Sequence, residues 1–211
     1  MEYFVYALLI LTSVIGLTFI VERGVALRRR RVMPSEIEAA VESCLSSEDV
    51  PLLRRVCQQH DSPMSRLLLL AADHLHWPKG ETMDAVQTRA RQELTRLERG
   101  LVVLEIIVGI APLLGLVGTI IGMMSVFGDV GQSGLNDAAK LARGISYILQ
   151  ATLMGLLIAI PSLIFWSFYT KKIETFAVEM ETLCDEFIRR QYREETSVRS
   201  PGVPRPEPVT T

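Results

Sequence analysis

Charge of one sign is the first thing this chain lacks. Its 211 residues carry 22 Lys+Arg against 24 Asp+Glu, a formal net charge of −2. No basic stripe is interleaved with aromatics, so nucleic acid is excluded as a partner. Cysteine is scarce: Cys44, Cys57 and Cys184 are odd in number and form no CxxC pair, which excludes a disulfide framework. The nearest approach to ligand spacing is Cys57-Gln-Gln-His60 followed by His74-Leu-His76, and these read as scattered helix-surface and core residues rather than a metal site. Phosphate loops, nucleophile elbows and metal motifs are missing, so neither an enzyme nor a cofactor is expected. A basic region before the first apolar run is missing too. The chain opens Met1-Glu2, and its arginines Arg23 and Arg28–Arg31 follow that run, the reverse of a cleaved signal peptide.

What the chain has is apolar length. Tyr3–Val21, Ile106–Phe127 and Ile145–Tyr169 are uncharged, and each is long enough to cross a hydrocarbon core that takes about 20 apolar residues. The expected fold is an all-α membrane protein with three transmembrane helices. Basic residues after the first run put the amino terminus outside and the Arg cluster inside, against anionic headgroups; Lys171 and Lys172 after the third run agree. The expected organisation is a first span over 1–22, a cytoplasmic helical region over 23–100, a second span over 101–127 and a short periplasmic loop over 128–144. A third span over 145–169, a cytoplasmic helix over 170–195 and a disordered, proline-rich tail over 196–211 complete it.

Within 23–100, Ser35 with Glu38 predicts a capping-box helix start, and Ser62-Pro63 opens another helix with proline in its first turn. Trp77-Pro78-Lys79-Gly80 breaks the Leu-rich helix that follows. From Thr82 to Phe127 no breaker intervenes except Pro112 and isolated glycines. A continuous helix there is about 69 Å long at 1.5 Å per residue and extends the second span into the cytoplasm. The alternative is a hinge at Gly100.

The second span is not built like a simple anchor. Gly115, Gly118 and Gly122 let another helix approach, Pro112 deletes a backbone donor, and Thr119 places a hydroxyl in an apolar run. Glu105, Pro112 and Thr119 drift only about 20° per step of seven, so one face carries the span's acid, proline and threonine. Glu105 reads equally as a functional acid or as an interfacial carboxylate. On the third span, Ala151, Gly155 and Ala159 form a packing track. Thr152 matches Thr119 in depth, both about 7–8 Å to the outer side of centre in an antiparallel hairpin. The two hydroxyls can ring a pore in an oligomer, or each can bond its own helix.

The second span, Ala111-Pro-Leu-Leu-Gly-Leu-Val-Gly-Thr119-Ile-Ile-Gly122, resembles one signature of the MotA/TolQ/ExbB proton-channel family. Gly144-Ile-Ser…Ala151-Thr152…Gly155-Leu-Leu-Ile-Ala-Ile-Pro161 resembles the other, and order and size are similar to the TolQ/ExbB branch. The resemblance implies a homopentameric bundle in the lipid bilayer of the bacterial inner membrane, its second and third spans lining a pore. Two copies of an ExbD/TolR-like single-span partner would stand inside, each with a membrane aspartate that takes up the ion. Ion flow down the proton (or sodium) motive force would then move that partner and pass force to the periplasm or outer membrane. Thr119 and Thr152 match the family's pore threonines, while Pro112, Gly115, Gly118, Gly122, Gly155 and Pro161 shape the packing. One position departs: where the family has Gly-Ile-x-Glu, this chain reads Gly144-Ile145-Ser146-Tyr147. Tyr147 is no carboxylate, and Glu105 is the only other acid available in a span. Two alternatives stand beside the channel subunit: a non-conducting membrane scaffold of the same fold, and a flagellar-stator-like subunit.

Overall fold

The computed structural model describes residues 2–133 and 138–199, with side chains over 4–128 and 141–193. Eight α-helices run in order: α1 Glu2–Ala26, α2 Arg29–Val32, α3 Ser35–Ser43, α4 Val50–Gln59, α5 Pro63–Asp73, α6 Lys79–Glu98, α7 Leu101–Ser133 and α8 Ala138–Arg199. No strand occurs among the described residues. Three helices are long and apolar enough to cross a membrane: Phe4–Ala26, Leu101–Gly128 and Leu141–Arg193, with mean hydropathies of 2.5, 2.5 and 2.1 in their best windows. The chain divides into two compact units.

The first unit holds α1, α7 and α8 up to Ile173. Contacts at three levels fix its topology. Gly118 meets Val5, Gly16 meets Ile107, and Gly100 meets Arg23, so α1 and α7 run antiparallel. Gly155 meets Ala111, Gly118 meets Ala151, and Gly122 meets Ile148, so α7 and α8 are antiparallel as well. Helix α1 therefore lies parallel to α8 against one side of the hairpin. Its inward stripe of Val5, Leu9, Gly16 and Ile20 is buried. Its other face exposes Phe4, Ile10, Leu11, Val14, Leu17 and Val21. An apolar surface of this extent suits lipid or another protein and not water. Hydroxyls inside the unit are satisfied locally. Thr12, Thr18, Ser162 and Thr170 each donate to the carbonyl four residues earlier, the usual arrangement for hydroxyls in a span.

The second unit holds residues 28–96 and α8 from Glu174. Phe187, Ile188, Ile37, Met64, Leu67 and Leu68 are fully buried in it. Its one buried charge among the described residues, Glu93, is ringed by arginines. Arg66 donates through Nε and Nη2 at 3.1 and 2.8 Å, and Arg89 and Arg96 lie at 3.1 and 3.2 Å. This clamp ties α5 to α6 and keeps the carboxylate from being stranded, which burial would otherwise make costly. At the start of α6, Thr82 Oγ1 donates to the His74 carbonyl at 2.8 Å and lies 2.9 Å from the Tyr192 hydroxyl.

Several expectations change. Helix α3 starts at Ser35 with Pro34 as its N-cap and no side-chain cap bond. Pro34 itself is extended, with ψ 138°, so helical geometry begins only after it and Ser35 falls inside the helix. The capping box lies instead at Ser46 and Asp49, where the Asp49 carboxylate accepts from the Ser46 amide at 3.0 Å. Ser62 does cap α5, accepting from the Ser65 amide at 3.1 Å. No continuous helix joins Thr82 to Phe127: α6 ends at Glu98 and α7 begins at Leu101. The 128–144 loop is largely helical, since α7 runs to Ser133 and α8 starts at Ala138; positions 134–137 lie outside the described residues. Helix α8 continues unbroken past Tyr169 to Arg199, which makes 196–199 helical. The rest of the expected tail, 200–211, lies outside the described residues.

Candidate functional site

The α7–α8 seam is closed by absent side chains. A Cβ on Gly155 would stand 2.6 Å from the Ala111 carbonyl oxygen, and one on Gly115 3.0 Å from both the Ala151 carbonyl oxygen and Thr152 Cα. These are backbone atoms, so the helices themselves would have to part. Further along, a Cβ on Gly118 would stand 2.8 Å from Ala151 Cβ, and one on Gly122 2.6 Å from Ile148 Cγ1. Four of the predicted packing glycines thus lie on one seam.

This close approach allows a polar contact across the hairpin. Thr152 Oγ1 donates to the Gly115 carbonyl at 3.3 Å, while Thr119 Oγ1 donates to its own helix at Leu116, at 2.6 Å. Only Thr119 therefore follows the local pattern that membrane hydroxyls usually adopt. Because Gly118 faces Ala151, the two threonines stand at one level. At about 100° per residue, Thr119 and Pro112 lie roughly 60–80° round α7 from the seam, on the side away from Ile107. Thr152 is turned roughly 65° from the seam of α8, on the side away from Tyr147. Ile107 on α7 and Tyr147 on α8 are among the residues that meet α1, so both threonines face the side of the hairpin that α1 leaves open. Beside Thr119, an open apolar depression is lined by Ile120, Met123, Met124 and Phe127.

Tyr147 lies elsewhere. Its ring sits 5.8 Å from that of Tyr6 on α1, and the Tyr6 hydroxyl donates to its carbonyl at 3.4 Å. Glu105 is exposed on α7 and makes no hydrogen bond or ion pair among the described residues. It shares the threonine side of α7 but stands two heptads, about 21 Å, from Thr119. Pro161 is exposed on α8, well round from Thr152. The protomer thus groups Thr119, Thr152, Pro112 and Glu105 on one side of the hairpin, and places Tyr147 with α1.

Two contributors escaped the sequence reading. The Tyr169 hydroxyl donates to the Ile20 carbonyl at 2.8 Å and lies over Gly24, where a Cβ would stand 2.9 Å from the hydroxyl oxygen. Arg23 donates to the Leu97 carbonyl at 3.3 Å, and its guanidinium covers Gly100, where a Cβ would collide with it. Isolated glycines at 24 and 100 were the available signals. Neither says which side chain comes to meet it.

The sequence model of the MotA/TolQ/ExbB proton channel family matches residues 59–182, a stretch that contains the whole seam. An ExbB homolog of biopolymer transport from Methanothermobacter thermautotrophicus is 31% identical over 68% of this chain, and the ExbB-like 1 protein of Synechocystis sp. is 32% identical over 74%. The chain spans 51% and 63% of those two proteins. The biopolymer transport protein ExbB of Neisseria meningitidis serogroup A is 25% identical over 86% of this chain and 88% of its own length. With more than half of its residues inside the family match, this chain belongs to the MotA/TolQ/ExbB proton channel family.

Proposed function

We propose that this chain is the ion-conducting subunit of an inner-membrane motor of the TolQ/ExbB kind. Five copies set their α7–α8 hairpins around a pore and leave α1 on the outside. A single-span, ExbD/TolR-like partner stands within, and its membrane aspartate carries H⁺ or Na⁺ past Thr119 and Thr152. The arginines after α1 and the lysines after Tyr169 lie in the cytoplasm, the amino terminus in the periplasm. Force passes through the partner to the periplasm or outer membrane, in the service of a biopolymer transport system like those for which the relatives are named.

The observation that carries this reading is the pair of hydroxyls at one level on the side of the hairpin that α1 leaves uncovered. Each hydroxyl donates its proton to a carbonyl and keeps oxygen lone pairs that a lumen containing an ion-carrying partner can use. A second reading, a non-conducting scaffold of the same fold, is favoured by Tyr147, which stands where the family glutamate belongs and contacts α1. Purification of the chain with its accompanying single-span protein, followed by H⁺ and Na⁺ flux in proteoliposomes, separates the two. Flux that requires the partner supports the motor. A well-formed complex that passes neither ion overturns it in favour of the scaffold.

A further inference from the structure

We infer that Glu105 and the main-chain carbonyl of Val108 form the inner half of the ion path, two successive acceptors for a monovalent cation between the threonine level and the cytoplasm. The inference rests on the conducting reading above and adds to it where the ion leaves.

Depth is the first argument. The α1–α7 register, set by Gly118 against Val5, Ile107 against Gly16 and Gly100 against Arg23, puts Thr18 opposite Glu105. Arg23 marks the basic collar, and five residues separate it from Thr18, so Glu105 lies about 7–8 Å inside the collar. An interfacial carboxylate would sit with Arg23, whose guanidinium is instead engaged by Glu22 at 2.6 Å and by the Leu97 carbonyl. Glu105 has no partner among the described residues. The charged groups toward the collar are Glu98 and Arg99 just before α7, Glu22 and Arg23 on α1, and Lys171 and Lys172 on α8. The Tyr169 hydroxyl is committed to Ile20. An unpaired acid inside a span is expensive and signals function by default.

The backbone supplies the second argument. Pro112 has no N–H, so the carbonyl four residues earlier, on Val108, lacks its helical donor. Within the hydrocarbon region such a group needs another partner. On a helix that carbonyl opens toward the proline's face, which is the face of Thr119 and Glu105. Water or a hydrated cation in the lumen satisfies it. The exposed Gly109 next to Val108, with nothing within 4 Å of a would-be Cβ, leaves the helix surface there open. For protons, the Glu105 carboxylate binds one from lumen water and releases it to cytoplasmic water. For Na⁺, it acts as a fixed negative charge that concentrates the ion at the mouth.

The test uses the purified complex in liposomes with H⁺ and Na⁺ flux measured separately. Glu105→Gln lowers the flux of the conducted ion by about tenfold, the scale on which a fixed charge enriches its counter-ion at a mouth, and Glu105→Asp keeps most of it. Pro112→Ala, which returns a donor to Val108, lowers it severalfold. Glu105→Cys is slow until an anionic methanethiosulfonate restores the charge; a neutral one of similar size does not rescue it. That rescue separates a charge effect from a folding defect. Wild-type flux that vanishes in Thr119→Val/Thr152→Val but is unchanged in Glu105→Gln overturns this inference alone. A silent wild type overturns the conducting reading and this inference with it.

Discussion

At the scale of single residues, the space around each glycine decides what it does. Gly155 and Gly115 abut backbone across the seam, whereas a Cβ on Gly109 meets nothing within 4 Å. Gly155→Ala must push α7 and α8 apart and break the Thr152–Gly115 hydrogen bond. It is expected to cost about 1–3 kcal/mol, the usual range for overpacking, while Gly109→Ala leaves stability unchanged or slightly raised. Thermal unfolding of the detergent-solubilised protein checks both, and equal melting temperatures for the two variants would contradict the seam. Burial sets the behaviour of Cys57 in the same local way, raising its thiol from the ordinary 9.0 to about 11. The folded state keeps a proton that the unfolded state has lost, so stability falls as pH rises from about 9 toward 11. At pH 8 the native protein should resist maleimide at Cys57 and label there only in denaturant.

At the scale of elements, the three spans were legible because apolar runs of that length suit a membrane, and the seam glycines of α7 stood out by their three- and four-residue spacing. The ends of the elements were not. Gly128, Gly131, Gly134 and Gly144 look like loop residues, yet Gly144 sits against Val126, where a Cβ would stand 2.8 Å from Cγ2. The position serves helix approach, and composition cannot distinguish that from a turn. The run from Thr82 is interrupted beside Gly100, where the Arg23 side chain lies over the glycine and donates to the Leu97 carbonyl, a long-range contact that no local pattern encodes. The direction of Tyr147 was equally hidden: its contact with Tyr6 depends on where α1 packs. In the sequence Glu93 stands in a charged amphipathic run with Arg89, Arg91 and Arg96, and nothing local singles it out for burial. The charge-assisted hydrogen bonds it accepts from Arg66, Arg89 and Arg96 make Glu93→Ala costly, by about 1.5–3 kcal/mol. Arg89→Ala, which removes one of three arginine partners, should cost well under half as much. Denaturant unfolding followed through Trp77 compares them, and a neutral Glu93→Ala would contradict the clamp.

At the scale of the whole molecule, function depends on which side of the membrane each unit occupies and on what fills the open side of the hairpin. In the proposed topology the arginines after α1 lie in the cytoplasm, as the positive-inside rule expects. A cysteine introduced as Arg30→Cys should therefore react with a membrane-impermeant thiol reagent in inverted vesicles and stay silent in right-side-out ones. The native cysteines, all buried, leave the background low. The central claim is that Thr119 and Thr152 belong to an ion path shared with a partner. Its most direct test is H⁺ and Na⁺ flux into liposomes holding the chain with its co-purified single-span partner, wild type beside Thr119→Val/Thr152→Val. The account predicts partner-dependent flux of one ion in the wild type and its loss in an intact double variant. Undiminished flux in that variant, or no flux of either ion from the wild-type complex, would contradict it.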